Sequence, residues 1–157
     1  MFVAACGSGA GKPTRLPDRS PTPSVTASLT PEQQVEAAVR AYYAEVNRAL
    51  SSGQTTQLAM LSHPQCSCRR LVTYISEKWE GGALRGARYE LKLVKAHPPL
   101  GGVLSALVSY SVSAYDVLDR SGRVIEQVEG VEFSQKDVSL QRNAAGNLVF
   151  TRVVNLQ

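Results

Sequence analysis

Ile75-Ser76-Glu77-Lys78-Trp79-Glu80-Gly81-Gly82-Ala83-Leu84-Arg85-Gly86-Ala87-Arg88-Tyr89-Glu90-Leu91-Lys92-Leu93 contains the point at which the hydrophobic pattern of this chain changes period. Before Gly81-Gly82, Cys68, Leu71, Val72, Ile75 and Trp79 recur on one face of a helix predicted over about 66–80. After it, Tyr89, Leu91 and Leu93 alternate with Arg88, Glu90 and Lys92. The repeat has passed from 3.6 to 2, from helix to strand. A chain that places its helices first and its strands afterwards is α+β, with helices covering one face of an antiparallel sheet.

Working upstream, Thr30-Pro31-Glu32-Gln33 carries the signals of a helix start. Thr30 can cap, Pro31 suits the first helical position, and Gln33 can complete a capping box. Val35, Val39, Tyr42, Val46 and Ala49 then follow at helical spacing, predicting a helix over 31–51 that Ser51-Ser52-Gly53 ends. A shorter helix is expected from Thr55 to Leu61, closed by Ser62-His63-Pro64. Downstream, Leu104, Ala106, Val108, Tyr110, Val112 and Ala114 share one face of a long strand, with Ser105, Ser109, Ser111 and Ser113 on the other. Asp119-Arg120-Ser121-Gly122 and Asn143-Ala144-Ala145-Gly146-Asn147 are turn signals, and Gly130 marks a bulge or bend before Val131 and Phe133. The expectation is three N-terminal helices packed on an antiparallel sheet of four to five strands.

Residues 7–29 differ in kind. Pro13, Pro17, Pro21 and Pro23 stand among Gly, Ser and Thr, a composition too poor in apolar surface to offset the entropy of ordering. Read as a linker, the segment spans about 25–30 Å. Just before it, Val3-Ala4-Ala5-Cys6 resembles the lipobox of bacterial lipoproteins, in which Cys6 would carry the lipid. Met1 to Ala5 then read as the end of a signal peptide whose basic and longer apolar parts are missing. The expected organisation is a signal-peptide remnant over 1–6, a linker over 7–29 and a single α+β domain over 30–157. The implied location is the extracytoplasmic face of the cell membrane, reached through the lipid anchor.

The charge pattern points away from nucleic acid. Of the net +4, Lys12, Arg15, Arg19 and Asp18 place +2 on the linker and leave +2 on the domain. Arg69, Arg70, Lys78, Arg85, Arg88, Lys92 and Lys95 form a locally basic region, relieved by Glu77, Glu80 and Glu90. A nucleic-acid module would interleave aromatics with such cations on one element, and no such stretch is present.

Cys66-Ser67-Cys68 is the strongest candidate for chemistry, open to an intramolecular bridge, an intermolecular link or a redox pair. Residues two apart on a helix point about 200° away from each other, so a bond between them requires the helix to begin after Cys68. A thioredoxin-like redox site would want two intervening residues rather than one. His63 with the two cysteines lacks the fourth ligand a closed zinc site needs, so no metal is expected. Gly7-Ser8-Gly9-Ala10-Gly11-Lys12 fails as a phosphate loop: Cys6 replaces the first glycine and Pro13 the hydroxyl residue. No cofactor site is expected.

Tyr42-Tyr43 late in helix 1, then Ser52-Gly53-Gln54-Thr55-Thr56-Gln57-Leu58 and Pro64-Gln65-Cys66-Ser67-Cys68, resemble the nuclear-transport-factor-2-like cone fold. They are particularly similar to domains of secreted actinobacterial lipoproteins, where the paired cysteines are often two residues apart rather than one. The resemblance covers about residues 31–157 and implies a curved sheet, a pocket between sheet and helices, and pairing of two copies through the sheet. Candidates to line the pocket are Tyr42, Tyr43, Trp79, Tyr89, Tyr110 and Tyr115, with Asp116 as the nearby carboxylate. Two functions follow. One is a non-catalytic binding or interaction domain meeting an envelope protein or a small apolar ligand. The other is a carrier or enzyme, which would need Asp116 buried beside a polarising donor.

Overall fold

The computed structural model describes residues 28–156. Cys6 and the greater part of the linker lie outside the described residues. The three helices are α1 (Pro31–Ser52), α2 (Thr56–Met60) and α3 (Arg69–Gly81). The expected start of the third helix at Cys66 is corrected by three residues: 63–68 form a turn, and Cys68 is the cap.

Local chemistry sets the limits of α1. The Thr30 hydroxyl accepts from the Gln33 backbone N–H (3.2 Å), and the Thr30 N–H donates to Gln33 Oε1 (2.9 Å). At the other end Gly53 has φ 73°, and a β-carbon there would lie 2.7 Å from Trp79 Cγ, so glycine meets both a backbone and a packing demand. Trp79 Nε1–H donates to the Leu50 carbonyl (3.2 Å), clamping the end of α1 to α3.

Seven strands follow: β1 (Gly82–Arg85), β2 (Tyr89–Ala96), β3 (Leu104–Val112), β4 (Tyr115–Asp119), β5 (Val124–Val128), β6 (Val131–Arg142) and β7 (Leu148–Leu156). They form a three-stranded sheet, β1-β4-β5, and a four-stranded sheet, β2-β3-β6-β7, with every pairing antiparallel. The expected single sheet of four to five strands is corrected. The runs 82–96, 104–119 and 124–142 each break once, at Gly86–Arg88, Ser113–Ala114 and Glu129–Gly130. Their upstream and downstream halves pair in different sheets. The three breaks lie side by side, and a β-carbon on Gly130 would come within 2.8 Å of Ala114 N and Val112 O. Close backbone approach at one shared corner therefore bends the whole meander.

The core fills the angle between α1 and the larger sheet. Val35, Val39, Val46 and Ala49 of α1 are buried with Ala106, Val108, Val138 and Phe150. α1 also covers the free edge of β2. Asn47 Nδ2 donates to the Tyr89 carbonyl (2.9 Å) and Asn47 Oδ1 accepts from the Tyr89 N–H (2.8 Å), while Glu36 accepts from Ala96 N–H. An edge strand would otherwise expose unpaired backbone groups. The opposite edge, β7, is only partly covered: His63 N–H donates to Phe150 O (2.8 Å) and Phe150 N–H to Leu61 O (2.9 Å). Beyond Val153, where Ser67 Oγ donates to the carbonyl (3.4 Å), a cleft opens.

Candidate functional site

The cleft has a volume of about 720 Å³ and lies between the first turn of α3 and the concave face of the larger sheet. α1 contributes Tyr42 and Tyr43, β2 contributes Tyr89 and β3 contributes Tyr110. Tyr42 stacks on Phe150 with ring centroids 4.0 Å apart and meets Tyr43 edge-on at 5.4 Å. Tyr43, Tyr89 and Tyr110 form a triangle with centroid separations of 5.8, 5.4 and 5.0 Å. Each such aromatic pair is worth about 0.5–1.5 kcal/mol beyond its buried area.

Burial pushes the Tyr42 hydroxyl up to about 12, and raises Tyr43 and Tyr89 further. Tyr110 is also raised by burial, with the Ser134 hydroxyl partly offsetting it. All four are neutral at physiological pH and can donate hydrogen bonds, but they cannot serve as bases. The rest of the lining is Ser67, Cys68, Arg70 and Leu71 on the helix side and Arg152 to Asn155 of β7 on the other. It holds two arginines and neither a carboxylate nor a histidine.

Cys66 and Cys68 are joined by a disulfide, with Cα atoms 5.1 Å apart, and both are buried. The bridge closes the turn ahead of Arg69, and Cys68, the cap of α3, lines the cleft. His63 Nδ1 accepts from the Gln65 N–H (3.3 Å). Among the described residues no cluster of histidine, cysteine and carboxylates is arranged to hold a metal ion. No helix among them is long and apolar enough to cross a membrane.

The remaining residues read from the sequence lie elsewhere. Trp79 packs on Gly53 at the far end of α3. Tyr115 lines a second, smaller cavity of about 180 Å³ behind Tyr89, and its hydroxyl meets that of Tyr74 at 2.7 Å. Asp116 is on β4, bound by Arg85 (2.6 Å) and Gln127 (3.2 Å). Those bonds, Arg85 foremost, hold its carboxyl below the usual range. It is a satisfied surface ion pair and not a base in a pocket. One participant has no signal in the periodicity. Lys136 of β6 lies in register opposite Val108 and Asn155, and its ammonium stands 6.0 Å from the centre of the Tyr110 ring.

No protein-family model matches the chain, and no curated protein matches it in sequence. Solved structures do match in shape. The intermembrane-space region of the chloroplast protein ARC6 superposes with a TM-score of 0.60 at 11% identity, over 82% of this chain and 98% of that one. A protein from Catenulispora acidiphila in complex with S-DNPA gives 0.52 at 14% identity, over 77% and 91%. A protein of cystatin-like fold from Caulobacter vibrioides gives 0.50 at 14%, over 77% and 89%. The fold is the cystatin-like cone. At these identities the likeness concerns the cone alone, and the functional reading rests on the residues of the cleft.

Proposed function

We propose that this chain is a lipid-anchored cell-envelope protein whose cone domain is a non-catalytic binding module for a small, largely apolar ligand. One observation carries the binding reading. A cleft of about 720 Å³ is lined by four tyrosines, with Leu71 and Val153 between them, and by no residue able to act as a base at neutral pH. Such a lining offers ring faces and hydroxyl donors, as concave ligand sites commonly do. An enzymatic reading needs a carboxylate or histidine at the cleft, and Asp116 is engaged with Arg85 on the smaller sheet. The anchor reading is supported by Val3-Ala4-Ala5-Cys6 and the proline-rich segment behind it, which would hold the domain clear of a bilayer.

A second copy is the partner we propose for the outer face of the larger sheet. Leu93 and Leu156 sit in one register row there and are 42% and 40% exposed, and Phe133 nearby is 63% exposed. Asp137 on the same face has one carboxylate oxygen shut away without a partner.

Native mass spectrometry of the full chain, extracted gently from membranes of the producing cell, tests these readings together. A lipid-sized addition that Cys6→Ser removes, and a smaller addition lost on denaturation, are the expected results. A bare protein recovered from the soluble fraction would overturn both.

A further inference from the structure

We infer that the ligand of the tyrosine cleft is a planar aromatic anion, its ring laid against Tyr43, Tyr89 and Tyr110 and its negative group received by Lys136. This rests on the binding reading above and names the ligand's chemistry. Lys136 belongs to β6, the strand whose neighbouring inward residues, Val138 and Leu140, are core. Its side chain therefore rises from the concave face and not from the solvent face. The ammonium touches two residues of the cleft lining: it lies over the Tyr110 ring and donates to Asn155 Oδ1. Of its three N–H donors one is engaged in this way. Among the described residues no carboxylate lies within ion-pair distance of it, whereas Arg48, Lys78, Arg85, Lys92 and Arg123 each have one.

The surroundings strengthen the same polarity. Arg70 lines the cleft and has no carboxylate partner among the described residues. A concave, partly apolar wall bearing one sign of charge concentrates the field on an incoming anion. Burial lowers the affinity of Lys136 for its proton, a cost that a bound anion would relieve. The ring requirement comes from the tyrosines, which meet an aromatic guest in offset or edge-on contact. A flat guest is favoured over a bulky one because Tyr42, Tyr43 and Tyr110 are only 3%, 5% and 8% exposed and pack against one another, so the cleft floor offers narrow ring edges and not a deep hole.

The test compares two probes of equal shape, 2-naphthoate and 2-naphthylmethanol, by isothermal titration into the full chain at neutral pH and low salt. The expected result is at least about tenfold tighter binding of the naphthoate, a preference that shrinks as salt is added. Lys136→Met should remove the preference by weakening the naphthoate far more than 2-naphthylmethanol, and Lys136→Arg should restore most of it. Equal binding of the two probes, or a preference that survives Lys136→Met, would overturn the role of the charge and leave the cleft as a binding site. Binding of neither probe would overturn the cleft reading itself, and this inference with it.

Discussion

The three-stranded sheet and the tyrosine cleft treat charge in opposite ways. At the three-stranded end each charged group is spent on a neighbour. Arg85 and Gln127 hold Asp116, Arg123 and Ser121 hold Asp119, Lys78 reaches Glu126 (2.7 Å), and Arg120 donates to the Glu80 carbonyl. At the tyrosine-lined cleft Arg70, in the lining, and Lys136, against Tyr110 and Asn155, have no carboxylate partner among the described residues. Paired surface ions contribute little beyond local order. Unpaired cations around a concave apolar wall are the arrangement that an external anion completes. The contrast supports the cleft as the proposed binding site.

The contrast can be broken most severely from below the cleft. Phe150→Ala removes the ring on which Tyr42 stacks and should cost about 3–5 kcal/mol in chemical denaturation. A loss under about 1 kcal/mol would mean that the cleft floor is not part of the core. Gly82→Ala strikes the other end. Its new β-carbon would fall 1.9 Å from the Leu118 carbonyl, forcing β1 off β4 at a cost of about 1–3 kcal/mol. Naphthoate binding by the folded fraction should survive that change, and its loss would show that the two ends are not separable.

A milder effect is expected at the disulfide. Replacing Cys66 and Cys68 together by Ser releases a very short loop, worth about 1.5 kcal/mol in the chain-entropy account. A change in ligand affinity larger than the change in stability would show that the bridge shapes the cleft wall at Cys68.

The cleft tyrosines and the paired aspartates have pH dependences of opposite sign. Tyr42, Tyr43, Tyr89 and Tyr110 have their pKa values raised in the fold, so the stability they lend is complete below the ordinary value near 10. It is lost as pH climbs through the raised values. An ultraviolet titration should find the Tyr42, Tyr43 and Tyr89 hydroxyls un-ionised at pH 10.5, and phenolate absorbance from more than three of the six tyrosines at that pH would refute the burial. Asp116 and Asp119 have lowered values, so their stabilisation is present above the ordinary carboxylate value and fades as pH falls below it. Arg85→Met should therefore lower Tm slightly at neutral pH and not at all in strong acid, the smallest effect of the set.

Much of this was legible in the chain. The capping box at Thr30 and Gln33, the apolar stripe of α1 and the change of period after Gly81-Gly82 are local signals, and each has its counterpart in the structure. The tyrosines could be singled out by type. Which of them meet could not be, because Tyr42, Tyr89 and Tyr110 are brought together by the pairing of β2 with β3 under α1. Lys136 was invisible for a related reason. A lysine in a strand normally faces water, and only the register that puts it between Val108 and Asn155 turns it inward.

The sequence by itself determined that helices precede strands and where α1 begins and ends, since these depend on propensity, capping and periodicity within a few residues. Tertiary structure alone decided that three strands bend at one corner, that Asp116 is an ion-paired surface group, that four tyrosines share a cleft, and that one lysine stands over the Tyr110 ring. Those facts depend on backbone contacts between segments tens of residues apart, and no short window of sequence contains them.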